Sequence, residues 1–284
     1  MGLAFRFLVI ILITQILFIS ALKASERTSD TKITYSLGIV PQFEQRKIFR
    51  IWQPIVDEIE RKTGIQLKIK GSPKIPAFEK NFLDGEFDFA YMNPYHITVA
   101  NKTRGYIPLI RDGNQTLRGI VIVRKDSPIT DISQLRSKTL AFPAPNALGA
   151  SLLIRAELSE VFDIEIDTRY VQTHSSVYLH VLKDLVDAGG GVIGTLNSQR
   201  PAIRDNLRII YKTREIPPHP IAAHPRVPEA HRKLISDAII EITQTPLGKA
   251  LFAKVPIQNA MFANISDYSV INDWNLEKYY AKND

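Results

Sequence analysis

The sequence predicts an α/β protein built as two lobes around parallel sheets. Three observations carry this. Runs of β-formers alternate with helix-periodic runs from Ile33 to Tyr211, the pattern of sheets covered by helices on both faces. The alternating units are too many for one compact sheet. No Gly/Ser linker, internal repeat or low-complexity segment divides them. Two lobes joined by strand-like crossings, near Thr116 to Gly119 and near Lys212 to Pro217, therefore fit best.

The chain opens with Arg6, an apolar run from Phe7 to Leu22 broken only by Thr14, Gln15 and Ser20, and a polar exit at Lys23-Ala24-Ser25-Glu26. That is the build of a secretory signal peptide over 1–24, with cleavage after Ala24. The run is short for a bilayer span, which needs ~20 apolar residues. Leu22 is larger than the small residue usual at its place, so an uncleaved anchor is the alternative. No other stretch is long and apolar enough to span, and the processed chain is expected not to cross the membrane.

The elements then follow in order. Ile33 to Val40 is β-rich and stops at Pro41, a strand. Ile48, Ile51, Trp52, Ile55 and Ile59 recur at helical spacing, closed by Thr63-Gly64, with Pro54 expected to kink the helix. Ile65 to Ile69 is a strand, Ala77 to Leu83 a helix ended by Asp84-Gly85, and Phe87 to Met92 a buried strand. Pro94 to Lys102 is a helix with Pro in its first turn. Strands follow at Tyr106 to Ile110 and Leu117 to Val123. A short helix at Asp131 to Leu135 and a strand at Thr139 to Phe142 lead to a helix from Leu148 to Val161. Ile164 to Val171 is a strand. Val177, Val181, Leu182 and Leu185 mark a helix, Gly191 to Thr195 a strand, Ser198 to Arg204 a helix and Leu207 to Tyr211 a strand. Past Pro217-Pro218 the chain turns helical. Leu234, Ile235, Ala238, Ile239 and Ile242 share a face, and Thr245-Pro246 restarts a helix with its cap and N1 proline.

Composition bounds the function. Hydrophobic residues are 45%, charged residues 23% and Cys 0, so an exported chain must be held by packing without disulfides. Loss of Arg6 and Lys23 with the signal takes the net charge from +7 to +5. The basic residues are interleaved with acids, as in Asp57-Glu58 beside Arg61-Lys62, without a nucleic-acid-binding motif. No nucleic-acid partner is expected, although a mild positive field favours anionic small molecules.

The motifs narrow the reading further. Gly189 to Gly194 matches G-x-G-x-x-G, but the expected order, helix before and strand after, is the reverse of a dinucleotide site. These glycines are read as letting backbone approach a ligand or neighbouring strand closely. Phe142 to Gly149 lies between a strand and a helix. Asn146 suits an N-cap, which leaves the amides of Ala147, Leu148 and Gly149 free for an anion, or else simply caps a helix. Asn93 and Tyr95 sit at the carboxyl end of a strand, where α/β sheets gather ligands. Tyr91 continues that strand and suits the core. His174 stands at another strand-to-helix junction, as an anion donor or a structural histidine, with Ser175 or Ser176 as the cap. His219 and His224 lack the spacing and thiolates of a zinc site. No catalytic motif is present, so neither enzyme activity nor a cofactor nor a metal is expected.

These residues resemble a family. Gly38-Ile39-Val40-Pro41, Trp52-Gln53-Pro54-Ile55, Thr63-Gly64, Gly85 to Tyr91, Val123 to Ile129, Asp131 to Leu135, His174-Ser175 and Asp187-Ala188-Gly189 fall in the order seen in periplasmic substrate-binding proteins of ABC transporters, of the phosphate/phosphite/phosphonate type. The resemblance implies a two-lobed type II periplasmic binding protein fold with ligand in the cleft between lobes. The expected division is 25–118 in lobe one, 119–215 in lobe two, and 216–284 returning to lobe one. The implied ligand site is Asn93, Tyr95, Asn146, Ala147, Leu148, Gly149, His174 and Ser175. The implied partners are a small, anionic ligand and an ABC permease, with a separate membrane sensor kinase as the alternative, all in the periplasm. Phosphonate binders of the family carry a Ser-Thr-Ser-Gly-like run where this chain has Asn146-Ala147-Leu148-Gly149, and a tyrosine where it has Ile75. A more apolar cleft is expected, suited to a carboxylate, a small organic molecule or an unusual oxyanion.

Overall fold

A computed structural model describes residues 32–281. The signal-peptide reading of residues 1–24 lies outside them. Elements here refer to Thr34 onward.

The described chain begins with β1 (Thr34–Ile39), α1 (Gln45–Thr63), β2 (Gln66–Lys70), α2 (Ile75–Leu83), β3 (Phe89–Tyr91), α3 (Pro94–Arg104) and β4 (Ile107–Asp112), whose strands belong to one sheet. α1 buries Ile48, Trp52, Ile55, Val56 and Ile59 on one face and ends at Gly64 with φ 73°, a left-handed cap that glycine adopts without strain. Pro54 does not break it. The carbonyl freed by the missing amide belongs to Arg50, and both residues face solvent, so water replaces the lost bond.

A second sheet holds β5 (Gly119–Arg124), β6 (Thr139–Phe142), β7 (Asp167–Tyr170), β8 (Ala188–Val192) and β9 (Leu207–Lys212). Between them lie a π-helical turn at Leu148–Leu152 running into α4 (Leu153–Glu160), then α5 (His174–Leu182), α6 (Ile193–Asn197) and α7 (Pro201–Arg204). Thus Gly189, Gly190 and Gly191 lie within a strand, and Ile193 to Asn197 is helix where strand was expected. The expected single helix from Ser198 to Arg204 shortens to α7, started by Pro201.

The chain then returns as β10 (Ile221–Ala223), α8 (Glu229–Gln244), α9 (Pro246–Phe252) and β11 (Ala260–Phe262). Sheet orders are β11-β4-β10-β3-β1-β2 and β7-β6-β8-β5-β9. The alternation predicts parallel sheets, but both sheets are mixed. β10 is antiparallel to β3 and β4, and β5 is antiparallel to β8 and β9. The reason is topological. Parallel strands point their carboxyl ends at the other lobe, so a strand entering from that lobe must run the opposite way. The two crossings pair with each other: Leu117 and Ile216 exchange both backbone hydrogen bonds at 2.9 Å.

Candidate functional site

The junctions at the carboxyl strand ends meet in one cavity. Its walls are Val40 and Gln42 after β1, Asn93 and Pro94 after β3, Ala147 to Ala150 after β6, His174 at the start of α5, and His219 before β10. Ile75, Leu117, Val192 and Ile216 complete them. The space is about 20 Å³, roughly that of one water. It shares Gln42, Leu117, Val192 and His219 with a larger cavity of about 530 Å³ that also touches Arg118 and Lys254.

The lobes touch across this cleft. Asn93 Nδ2 donates to the Asn146 carbonyl at 3.3 Å. The His174 amide donates to the Gln42 carbonyl at 3.3 Å. Lys47 Nζ lies 3.5 Å from Ser198 Oγ.

Asn93 caps α3, its Oδ1 accepting from the His96 amide at 2.7 Å. Asn146, by contrast, is not the helix cap; Ala147 holds that position. The Asn146 side chain is fully buried. Its Nδ2 donates to Glu79 Oε2 at 3.1 Å and to the Ala281 carbonyl at 2.7 Å, and its Oδ1 accepts from the Ala281 amide at 2.9 Å. A partner from the far end of the chain has outcompeted the local cap. The helix still begins beside the cavity. Both the Ser151 and Leu152 amides reach back to the Ala147 carbonyl, and a helix leaves its first amides without internal acceptors, but the Ala147 amide, expected to be free, donates to the Ala144 carbonyl at 3.4 Å. A Cβ on Gly149 would meet Val192 Cγ1 at 3.0 Å and Ile216 Cδ1 at 3.1 Å, so this turn is pressed against the crossings.

His174 is 3% exposed. Its Nδ1 lies 3.1 Å from Thr195 Oγ1. Thr195 Oγ1 also lies 3.0 Å from the Val192 carbonyl and 2.6 Å from the Tyr178 hydroxyl, which is itself 3.3 Å from that carbonyl, so the three side chains form one buried hydrogen-bonded cluster. The cap of α5 is Thr173, accepting from the Ser176 amide at 3.1 Å, rather than Ser175 or Ser176. Ser175 lies outside the cavity wall, 3.4 Å from Gln199 Nε2. Tyr95 is likewise turned away, packed on Tyr280 with ring centroids 5.3 Å apart.

His219 and Gln42 join the site without having been expected there. His219 stacks on Tyr91 at 5.3 Å, and its Nδ1 is buried without a partner. Its place just before a strand that enters from the opposite lobe gives no local signal. Gln42 had one: it follows β1 at a carboxyl strand end, as Asn93 follows β3.

Burial pushes the His174 imidazole down to about 4. Burial, with His96 and His174 nearby, pushes His219 down to about 3. Below pH ~6.5 the unfolded chain gains protons on both rings that the folded chain refuses, so stability falls with pH. The slope is at most roughly 1.4 kcal/mol per histidine per pH unit, down to the folded values. Urea midpoints are expected to drop from pH 7 to pH 5, and less steeply in His219→Gln. Equal slopes in both proteins would show that His219 does not carry this dependence.

The comparisons agree with this architecture. Residues 37–268 match the family model described as ABC transporter, phosphonate, periplasmic substrate-binding protein. The chain is 22% identical over 256 residues to the phosphonates-binding periplasmic protein of Escherichia coli K12, covering 85% of this chain and 76% of that protein. A binding component of an ABC phosphonate transporter from Pseudomonas aeruginosa superposes with a TM-score of 0.78 at 15% identity, over 86% of this chain and 85% of that one. PhnD1 from Prochlorococcus marinus, in complex with methylphosphonate, gives 0.76 at 15% identity, over 86% and 97%. The fold is thus the two-lobed α/β architecture of periplasmic binding proteins. With the match running through most of both lobes, the chain belongs to the periplasmic substrate-binding proteins of ABC phosphonate transporters, a family of binding components and not of enzymes.

Proposed function

We propose that the chain captures a small anionic molecule, phosphonate-like or another organic anion, in this cleft and delivers it to an ABC permease. The observation that carries this is the meeting of Asn93, the Ala147 to Gly149 turn and His174 in one cavity from both lobes. Asn93, Ala147, Leu148, Gly149 and His174, with Gln42 and His219, would contact ligand. Asn146 would act from behind, by fixing the turn. We assign 34–118 and 216–281 to one lobe and 119–215 to the other, hinged at Leu117 and Ile216. Hinge closure around ligand suits such a pair.

Methylphosphonate, phosphite and simple carboxylates are the first ligands to test by thermal shift. A ligand at 100 times its Kd adds roughly 2.7 kcal/mol of stability. A hydrogen bond to a charged group is worth about 1.5–3 kcal/mol, so His174→Ala is expected to weaken binding roughly tenfold or more. Unchanged affinity in calorimetry would remove His174 from the site.

The family is periplasmic, and among the described residues no helix is long and apolar enough to cross a membrane. Export would proceed through a cleaved signal. Mass spectrometry of a periplasmic extract is expected to find an N-terminus near Ser25, whereas an intact chain found only in membranes would establish the anchor instead.

A further inference from the structure

We propose that residues 274–281 form a strap that holds the two lobes together before ligand arrives, and that this strap, which lines neither cavity, sets how tightly and how fast ligand binds. This rests on ligand being captured between the lobes, and it adds a control that the cavity residues do not contain.

One face of the strap belongs to the first lobe and is apolar. The chain reaches it through a run of 3₁₀ turns, Ile265–Trp274, which buries Tyr268 and Ile271. Lys102 of α3 ties that run down, its Nζ donating to Asn272 Oδ1 at 3.2 Å. Asn275 then turns the chain with φ 50°, a left-handed conformation that Asn adopts more readily than most residues. Leu276 is fully buried in the same apolar cluster as Tyr95 and Ile97, and Tyr280 packs on Tyr95 with ring centroids 5.3 Å apart. The other face belongs to the second lobe and is polar. The Arg214 guanidinium lies over the Trp274 ring, 5.5 Å from its centroid. Lys278 Nζ is 3.0 Å from Glu160 Oε1, and Arg155 Nη2 donates to the Tyr279 carbonyl at 2.8 Å. Asn146 grips both backbone groups of Ala281, at 2.7 and 2.9 Å. Separate points of the second lobe, from the turn at Asn146 to the crossing beside Arg214, thus hold one short segment.

Asn146 links the strap to the cleft. Its carbonyl accepts from Asn93 across the cleft at 3.3 Å, while its side chain holds Ala281 and reaches Glu79 of the first lobe. The lobes cannot part here without breaking the Asn93 and Glu79 bonds, and without either freeing Ala281 from Asn146 or pulling Tyr280 off Tyr95. They must part for ligand to reach the inner wall, because the space there, about 20 Å³, takes roughly one water. The chemistry of the two faces decides which contact yields. Leaving the first lobe would expose Leu276 to water. Leaving the second exchanges hydrogen bonds for bonds to water, at modest net cost, and the exposed Lys278–Glu160 pair contributes least. The strap therefore stays with the first lobe and releases the second. Contacts made in the closed arrangement and lost in the open one shift the population toward closure. The same contacts reform once the lobes close over ligand. The apparent Kd is then the intrinsic value divided by the closed fraction.

The chain has no cysteine, so spin labels go only where cysteines are introduced. Arg50→Cys in α1 and Lys183→Cys after α5, both at exposed positions, place one label on each lobe. Pulsed electron resonance on the ligand-free mature protein is expected to show one short distance in the labelled parent. Arg155→Met keeps an apolar stem but loses the bonds to the Pro145 and Tyr279 carbonyls, and is expected to add a second, longer distance. Lys278→Met combined with Glu160→Gln, on side chains 68% and 37% exposed, is the second variant and should shift the distances the same way by less. Circular dichroism checks that both keep the fold. Calorimetry with methylphosphonate is expected to follow the distances: a variant closed one-tenth of the time binds about tenfold more weakly. Stopped-flow association should at the same time become faster, because more of the protein is open to entry. Labels already far apart in the ligand-free parent, or equally close in the parent and both variants, would overturn the proposal. Longer distances with unchanged or tighter methylphosphonate binding would overturn it too, since the strap would then hold a resting state that ligand does not use. Failure of methylphosphonate to bind the parent would count against the functional reading, and the label distances would then decide the strap on their own.

Discussion

Gly190→Ala is expected to lower the stability of the protein by about 3 kcal/mol, at the upper end of what overpacking a core usually costs. A Cβ there would lie 2.1 Å from the Ala150 carbonyl oxygen and 2.5 Å from Phe142 Cδ1. Neither can give way. The carbonyl belongs to the helical turn at the cavity, and Phe142 is fully buried. The alternation of a strand explains the whole glycine run. Gly189 and Gly191 face Val177, Val181 and Tyr178 of α5, while Gly190 faces the opposite helix. β8 is thus pressed between two helices at distances no side chain permits. Gly191→Ala should cost less, because it meets the end of the Tyr178 side chain and not backbone. Urea denaturation of both variants tests the ranking. A Gly190→Ala protein within about 0.5 kcal/mol of the parent would mean that the helix moves freely, and that the cavity wall is softer than its packing implies.

That glycine run also shows how far the sequence could be read. Close backbone approach was legible from composition, but what approaches is chiefly a pair of helices and not a ligand or a neighbouring strand. The secondary structure of the run was not legible. Three glycines carry little strand propensity, and the strand exists only because β5 and β6 pair with it. The alternating β and α pattern fixed the class of fold because apolar periodicity is local. The Thr245-Pro246 cap and the first-turn proline at Pro94 were legible for the same reason. Asn146 was misread as a cap because its true partner, Ala281, is 135 residues away. His219 was weighed only as a metal ligand beside His224, because nothing local says that a returning strand delivers it to the cleft. Parallel sheets became mixed ones through β5 and β10, whose direction depends on the lobe from which the chain arrives, and through the edge strand β11.

Glu79→Ala is expected to have a still larger effect, about 3–5 kcal/mol, because it strands buried partners. Glu79 and His96 are both fully buried, with Oε1 2.9 Å from Nε2. The other oxygen accepts from Asn146 of the second lobe. Asn146 in turn clasps Ala281, while Arg155 Nη2 donates to the Pro145 and Tyr279 carbonyls, both at 2.8 Å. Tyr280 of the same segment packs on Tyr95 of the first lobe. One carboxylate therefore sits in a network that joins α2, α3, the helix start at the cavity and the C-terminal segment. Glu79→Gln keeps the shape and an acceptor for Asn146, so it is expected to cost only about 1–3 kcal/mol, the usual penalty of a disturbed buried hydrogen bond. A double-mutant cycle with Asn146→Ala measures the unit directly. Residues in one network couple by roughly 0.5–3 kcal/mol, whereas independent sites add. Strong coupling would show that the buried acid holds the turn against the first lobe, so that part of the closed arrangement is built before ligand contributes anything. Simple additivity would instead mean that Glu79 serves His96 alone, and that the cleft is held by Asn93 and the Gln42–His174 backbone contact.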